Sequence, residues 1–391
     1  MPAAPAPWLR QRLRVASEHG VGVVLLAFLT SRLLLQAVGL VTRRVLDSYV
    51  ADHYVWTYHD SVWWDLWGVL DTGWYLGIVE QGYQAAIHPG VLQTNHVFFP
   101  AYPLVCRLVA PLVGHPLVAG VVVSNLCFIA ALLLLWGIVR DRVDTPTATL
   151  VVWIAAFFPG SYVFSSMYTE SFFLLLLLGC VHYALRDRWW MVGLVGAVLT
   201  ATRFVGLVAV LPLGLLFIER HGWAALGRLR SWAKLSALAV VPLGTVLYMF
   251  FLHRVVGNAT AFMDVQQGWH RSFQSPLVPL LAPLRQPSFY NDFQWVFAVA
   301  CFASLIPVAR RKLWPELALA LCLLGVPLLN GAPYAPLESY ARYTIVAYPI
   351  FMGLALAVGA RPRLRWLLLV GMGVLNAAMM VGWAVGSFFV M

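Results

Sequence analysis

Apolar residues come in runs long enough to form membrane-spanning helices, separated by short polar clusters rich in arginine. The first run covers about 20–41. Others cover about 117–139, 147–165, 170–186, 234–255, 292–309, 313–330, 342–360 and 366–389, and each predicts one helix. The run from Met191 to Ile218 is long for one crossing and short for two. It starts and ends at basic clusters, so it predicts two short helices that meet near Arg203 in ATRFVG. The pattern therefore predicts an all-α polytopic membrane protein of about eleven transmembrane helices. The stretch from Phe98 to Val113 is apolar but carries Pro100, Pro103 and Pro111. It predicts a short helix lying at, or dipping into, the outer face rather than a span.

Charge sets the orientation. Basic clusters lie at Arg10, Arg12 and Arg14; Arg140 and Arg142; Arg186 and Arg188; Arg220, Arg228, Arg230 and Lys234; Arg310, Arg311 and Lys312; and Arg361, Arg363 and Arg365. Positive charge marks the cytoplasmic side of membrane proteins. The N-terminus is then inside and the C-terminus outside, with sizeable outer loops at about 42–116 and 256–291. Neither linker, soluble domain nor fixed-period repeat interrupts the pattern, so residues 1–391 read as one membrane domain. The first apolar run is long enough to stay as an anchor rather than be cleaved as a signal peptide.

Composition agrees. The chain is 61% hydrophobic and 11% charged, and a soluble domain of that balance would expose large apolar patches. A net charge of +10 raises the question of nucleic acid, but the positive charge sits in the inter-helix clusters, so no nucleic-acid partner is expected. The five cysteines are scattered singly through apolar stretches, which suits core packing and neither a disulfide framework nor a metal site.

The first outer loop is unusual. From Leu46 to Pro103 it has no Lys or Arg but holds Asp47, Asp52, Asp60, Asp65, Asp71 and Glu80 among many aromatics. Asp71 opens a predicted short amphipathic helix, LDTGWYLGIVEQGY, with Trp74 and Tyr75 following. A carboxylate there fits an N-cap as well as it fits a catalytic acid. Further along come FFPAYPL with Tyr102, SSMYTESFF with Glu170 at the outer end of a helix, and ATRFVGL with Arg203 at a helix break. FMDVQQGWHR brings Gln266, Gln267, Trp269, His270 and Arg271, and ESYARYTIVAYP brings Glu338, Arg342 and Tyr343. An acid inside a membrane helix is costly unless paired or in a wet cavity. The nine basic residues outside the cytoplasmic clusters are Arg32, Arg43, Arg44, Arg107, Arg203, Arg254, Arg271, Arg285 and Arg342, all arginine. Arginine offers a planar fork for phosphate or carboxylate. Headgroup contact or structural pairing suits Arg107, Arg254 and Arg285. Arg32 lies well inside the first helix, where a carboxylate in the bundle or a lipid phosphate would answer it. His59, His88 and His96 do not have helical metal-site spacing, and no glycine-rich phosphate loop occurs.

The order of these motifs resembles the PIG-V-like mannosyltransferases, relatives of the GPI second-mannose transferase within the GT-C glycosyltransferase class. The motifs are Asp-x-x-Trp-Tyr…Gly-Tyr, Phe-x-Pro-x-Tyr-Pro, Tyr-Thr-Glu-Ser, Thr-Arg-Phe-x-Gly, Gln-x-x-Trp…Arg and Arg-Tyr…Pro, from Asp71 to about Pro349. Each is weak alone, and their shared order carries the resemblance. It implies a GT-C-type bundle with helical outer-face loops, an outer-face active site, no metal or other cofactor, and polyprenyl- or dolichyl-phosphate mannose as donor. By spacing, the family's loop acid falls on Asp71. The family commonly has Trp before that acid where this chain has Leu70, and Trp64-Asp65 imitates the dipeptide, so Asp65 is the second candidate.

On this reading the protein is an inverting mannosyltransferase. A carboxylate takes the acceptor's proton and fixed arginines meet the charge on the leaving phosphate. Asp71 is the expected base. Arg203, Arg271 and Arg342, with His270 after them, are the expected phosphate ligands. Trp74, Tyr75, Tyr102, Glu170, Gln267, Trp269, Glu338 and Tyr343 are the expected substrate contacts, and Glu170 and Glu338 are alternatively holders of the arginines. The partners are then the lipid-linked donor, membrane lipids, and an acceptor glycolipid, glycan or protein. The short loops suit a bacterial cell membrane with the site outside; in a eukaryote it would be the ER membrane with the site in the lumen. Two alternatives stay open: a GT-C transferase of another sugar, and a lipid or sugar transporter without transferase activity.

Overall fold

The structure is a computed structural model that describes residues 7–46, 57–85 and 93–387, with side chains from residue 20 onward. Asp47, Asp52 and His88, and the end of the last predicted helix, lie outside the described residues. The chain is an all-α, multi-pass membrane protein. Among the described residues, six helices are long and apolar enough to cross a membrane: Gly20–Val45, Pro116–Arg142, Phe204–His221, Leu229–Val256, Phe289–Arg310 and Pro362–Ala384. Six shorter apolar helices accompany them: Ala101–Val113, Thr145–Phe157, Glu170–Leu185, Trp189–Thr200, Trp314–Leu329 and Pro349–Val358. One core of buried side chains runs from Val24 to Ala384.

Helix ends follow local chemistry. Pro116 sits at the first turn of its helix, where its missing N–H costs nothing, and the Asp144 carboxylate accepts from Thr147 N at 2.7 Å to cap the next. The helix predicted over 147–165 stops at Phe157. Pro159 and Gly160, the latter at φ +88°, turn the chain into a 3₁₀ segment Ser161–Phe164. The helix predicted over 342–360 is likewise two pieces, Tyr340–Thr344 and Pro349–Val358. Pro349 has no N–H to continue the ladder, and it starts the second piece instead. The 191–218 run does break in two, with Ala201–Arg203 between Trp189–Thr200 and the helix that starts as 3₁₀ at Phe204. The Phe98–Val113 stretch is one helix, Ala101–Val113, about 20 Å long at 1.5 Å per residue. Its exposed face carries Leu104, Leu108 and Leu112 at four-residue spacing.

The two ends of the bundle differ. At one end Arg142 donates to Glu316 through Nε and Nη2 at 2.7 and 2.9 Å and also bonds Glu219, joining three helices. Asp187 there accepts from Trp189 at 2.7 Å and pairs with His221 at 2.9 Å and Lys234. Glu170 lies at the other end of the same short helix that delivers Asp187.

Arg32 is answered by carbonyl and hydroxyl oxygens, and among the described residues no ion pair joins it to a carboxylate. Its guanidinium, 7% exposed, donates to Ala156 O at 2.8 Å, Ser161 O at 2.7 Å, Ser161 Oγ at 2.8 Å and Ser165 Oγ at 3.1 Å. It caps the carbonyl end of the Thr145–Phe157 helix, where a cation meets the negative pole of the helix dipole. Asn376 clamps the same turn, donating to Ser161 Oγ at 2.9 Å and accepting from Gly160 N at 3.2 Å. The break that leads to Glu170 is thus held from two helices.

Candidate active site

Five segments far apart in the chain bring charged side chains together at the end opposite Asp187. Arg342 is the hub. Its Nη1 donates to Asp71 Oδ2 at 2.6 Å and its Nε to Glu170 Oε1 at 2.9 Å. Arg203 Nη1 donates to the same Glu170 oxygen at 2.9 Å. Arg271 completes the set: Nη1 bonds the Tyr343 hydroxyl, and Nε lies 3.5 Å from Glu338. The Tyr343 ring sits among all three guanidiniums, with Arg203, Arg271 and Arg342 at 5.3, 5.1 and 5.6 Å from its centroid. Such contacts suit cations in a desolvated site. Three arginines and three acids balance, so the cluster is neutral as a whole. Burial alone would loosen the Arg271 proton, but Tyr343 and Glu338 beside it outweigh that, and the guanidinium holds its proton even more firmly than usual.

Each member is placed for a local reason. Arg203 is the extended residue between two helices, at φ −155° and ψ 139°, so its side chain leaves the break rather than a helix wall. Glu170 opens its helix, where a negative charge meets the positive pole of the dipole. Arg271 is fixed by a two-residue antiparallel pair, Ser272 with Gly331 and Phe273 with Asn330, which ties the second loop to the segment carrying Glu338. Gly331 has no side chain for a reason: a Cβ there would lie 2.6 Å from Pro336 O. The Tyr340–Thr344 turn then sets Arg342 and Tyr343 one after the other.

The acids differ in access. Asp71 keeps 19% of its side-chain surface and Glu338 28%, while Glu170 has none. Asp71 stands just before the helix Thr72–Glu80 but makes no side-chain cap, and its carboxylate turns to Arg342 instead. The N-cap reading is therefore corrected: a buried guanidinium outcompetes the helix's own N–H groups for the carboxylate. Leu70 beside it has φ +55°, a left-handed conformation that costs a leucine about 1–2 kcal/mol. His270 and Ser339, each next to a residue of the cluster, are also left-handed, at φ +56° and +60°. Strain of this kind gathers at functional sites.

Other predicted residues fall into three groups. Trp74 and Trp269 meet edge to face at 5.7 Å, and Phe98 stacks on Trp74 at 6.0 Å, so aromatics join the two loops. Tyr75 packs between Phe98 at 4.9 Å and Tyr168 at 6.1 Å. Tyr102, fully buried behind Tyr75, bonds Ser124 Oγ at 2.8 Å and Gly120 O at 3.1 Å. That is packing within the helix pair, away from the arginines. Gln267 and His270 are exposed; the His270 ring is 6.1 Å from Tyr334.

Asp65 is not brought to the cluster. Its Oδ1 accepts from Tyr58 N at 2.7 Å and His59 N at 3.1 Å, and its Oδ2 pairs with Arg43 at 3.3 Å. This also accounts for Arg43 lying at the wrong end for the charge rule: Asp65 balances it. His96 holds the loop, bonding Gln84 O at 2.9 Å and Thr94 Oγ1 at 2.8 Å. Among the described residues, no group of three or more His, Cys, Asp or Glu is placed to hold a metal ion.

One contributor, the tyrosine that opens the Tyr-Thr-Glu-Ser motif, was not among the expected site residues. Tyr168 lies against both Asp71 and Arg342. Its place in that motif, two residues before Glu170, was the available signal.

No protein-family model matches the chain, and a search of curated proteins finds no match. The PIG-V-like resemblance therefore rests on motif order alone. Among solved structures, the chain is similar to two of the Archaeoglobus fulgidus oligosaccharyltransferase. One is in complex with zinc and sulfate (TM-score 0.44, 13% identity, covering 90% of this chain and 53% of that one). The other is tethered with an acceptor peptide containing the NVT sequon (TM-score 0.47, 11% identity, 91% and 55%). The present chain spans about half the length of these proteins.

Proposed function

We propose that the protein is a membrane glycosyltransferase of GT-C type. It moves mannose from a polyprenyl- or dolichyl-phosphate donor to an acceptor hydroxyl at the outer membrane face, with inversion and with Asp71 as general base. The observation that carries this reading is the Asp71–Arg342–Glu170–Arg203 ion-pair chain around Tyr343. It supplies an accessible carboxylate beside arginines fixed in advance, which is what phosphate departure without help from solvent requires.

The charges give the step a logic. The acceptor hydroxyl attacks the anomeric carbon while Asp71 takes its proton, and the C–O bond to the lipid phosphate breaks. A protonated Asp71 no longer balances Arg342. The positive charge so released lies beside the phosphate oxygen on which negative charge is growing. Arg203 and Arg271 hold the remaining phosphate oxygens. Glu170, without exposed surface, serves as the fixed counter-charge for two arginines rather than as a base. Asp65, engaged with two backbone N–H groups and Arg43, stays a loop anchor. Trp74, Trp269 and Phe98 form an aromatic rim suited to a sugar ring. The acceptor is a glycolipid, glycan or protein presented at that rim.

The test uses purified protein in nanodiscs, polyprenyl-phosphate mannose, and a membrane lipid extract as acceptor. Mannose transfer with loss in Asp71→Asn of about 10²–10⁴-fold in kcat supports the assignment. Full transfer by Asp71→Asn sinks the base assignment, and, in a parallel preparation in sealed proteoliposomes, translocation of the sugar-lipid by wild type without transfer favours a transporter.

A further inference from the structure

We propose that Tyr168 is a positioning residue for the Asp71–Arg342 pair, one group setting both partners. The proposal rests on the reading of Asp71 as base. The Tyr168 hydroxyl accepts from Asp71 N at 3.0 Å and donates to Val69 O at 2.9 Å. It thereby brackets Leu70, the residue held at φ +55°. The face of the same ring carries the Arg342 guanidinium at 4.3 Å, closer than the ring of Tyr343 does. That guanidinium is the one bonded to Asp71.

The tyrosine itself has little freedom. It is fully buried, and Trp383 meets it edge to face at 5.4 Å while donating to Leu66 O at 2.9 Å. Met167 N donates to Trp67 O at 3.3 Å, a second tie between the segments around residues 67 and 167. Met167 in turn lies over Gly120, where any Cβ would lie 2.3 Å from its Cγ. A buried tyrosine needs only one partner for its hydroxyl. This one spans a strained residue and a cation, which core packing alone does not require.

The parts separate by mutation. Tyr168→Phe keeps the ring under Arg342 and removes the bridge. Tyr168→Leu removes both. Leu70→Gly removes the need for the bridge, because glycine adopts positive φ without penalty. With nanodisc protein and polyprenyl-phosphate mannose, Tyr168→Phe is expected to lower kcat about 10- to 100-fold with donor KM within about twofold. Tyr168→Leu is expected to raise donor KM as well. Leu70→Gly stays near wild type, and adding it to Tyr168→Phe recovers about five- to thirtyfold of the lost rate, the weight of a left-handed leucine. Wild-type kcat in Tyr168→Phe, or a double variant no faster than Tyr168→Phe, overturns the proposal. If wild type transfers no sugar, the function reading falls and melting temperatures of wild type, the two single variants Tyr168→Phe and Leu70→Gly, and their double variant decide instead. A smaller loss from Tyr168→Phe when Leu70→Gly is already present supports the bracket; equal losses refute it.

Discussion

Glu170→Gln isolates one charge in the centre of the cluster. Glu170 Oε1 accepts from both Arg203 and Arg342 at 2.9 Å, and a glutamine carbonyl oxygen can accept the same two bonds. Oε2 is buried with no hydrogen-bond partner among the described residues, so placing an NH₂ there gives up no bond. What changes is the charge. Two ion pairs at about 4 Å between charge centres are worth about 4 kcal/mol each at an effective dielectric of about 20. Sparing the desolvation of a fully buried carboxylate returns several kcal/mol. The net loss is then about 3–5 kcal/mol, the cost of stranding buried charges. Glu219→Gln is the internal control, because Glu219 is 43% exposed against the same kind of partner and should lose only about 0–1 kcal/mol. Both are compared by thermal unfolding of detergent-purified protein at about 0.1 and 0.5 M NaCl, which brackets the range where exposed pairs are screened. Glu170→Gln should show the larger drop at both salt concentrations, since buried pairs are screened little. A Glu170→Gln protein as stable as the control, or one whose deficit disappears in high salt, refutes the reasoning.

Three further outcomes follow from single groups. Arg32→Leu removes five hydrogen bonds from a buried turn, so it should cost about 3 kcal/mol or more in thermal unfolding, with Arg32→Lys restoring only part. Asp65→Asn should destabilise the first loop, read by hydrogen exchange at Tyr58 and His59, while leaving donor KM unchanged. Burial pushes the His96 imidazole below its usual value of 6.5. Its neutral form is then the one the fold prefers: its share of stability is present above about 6.5 and lost as pH falls below it. His96→Gln should flatten the drop in melting temperature between about pH 7 and 5, and an unchanged slope counts against the assignment.

Much was legible in the pattern of the chain. Apolar runs and arginine clusters locate the helices because a membrane span must be apolar and long, and basic residues resist translocation. Helix breaks were less visible. The residues after Phe157 and after Thr344 continue runs apolar enough to be predicted as single helices, and Pro159, Gly160 and Pro349 marked where the ladder stops. Arg43 and Arg32 looked misplaced because their answering groups, Asp65 and the carbonyls of Ala156 and Ser161, belong to other segments.

The class of molecule, the positions of its charged residues and the order of its motifs follow from the chain read end to end, since these depend on composition and on spacing along it. Which charges meet is a property of the folded bundle. Asp71 and Asp65 are six residues apart in similar surroundings, yet one turns to Arg342 and the other to Arg43 and its own loop backbone. The Asp71–Arg342 pair is made across space by residues from opposite ends of the chain, and no local pattern carries that information. The left-handed Leu70, and the tyrosine that brackets it, likewise exist only because the surrounding packing holds a conformation the residue itself disfavours.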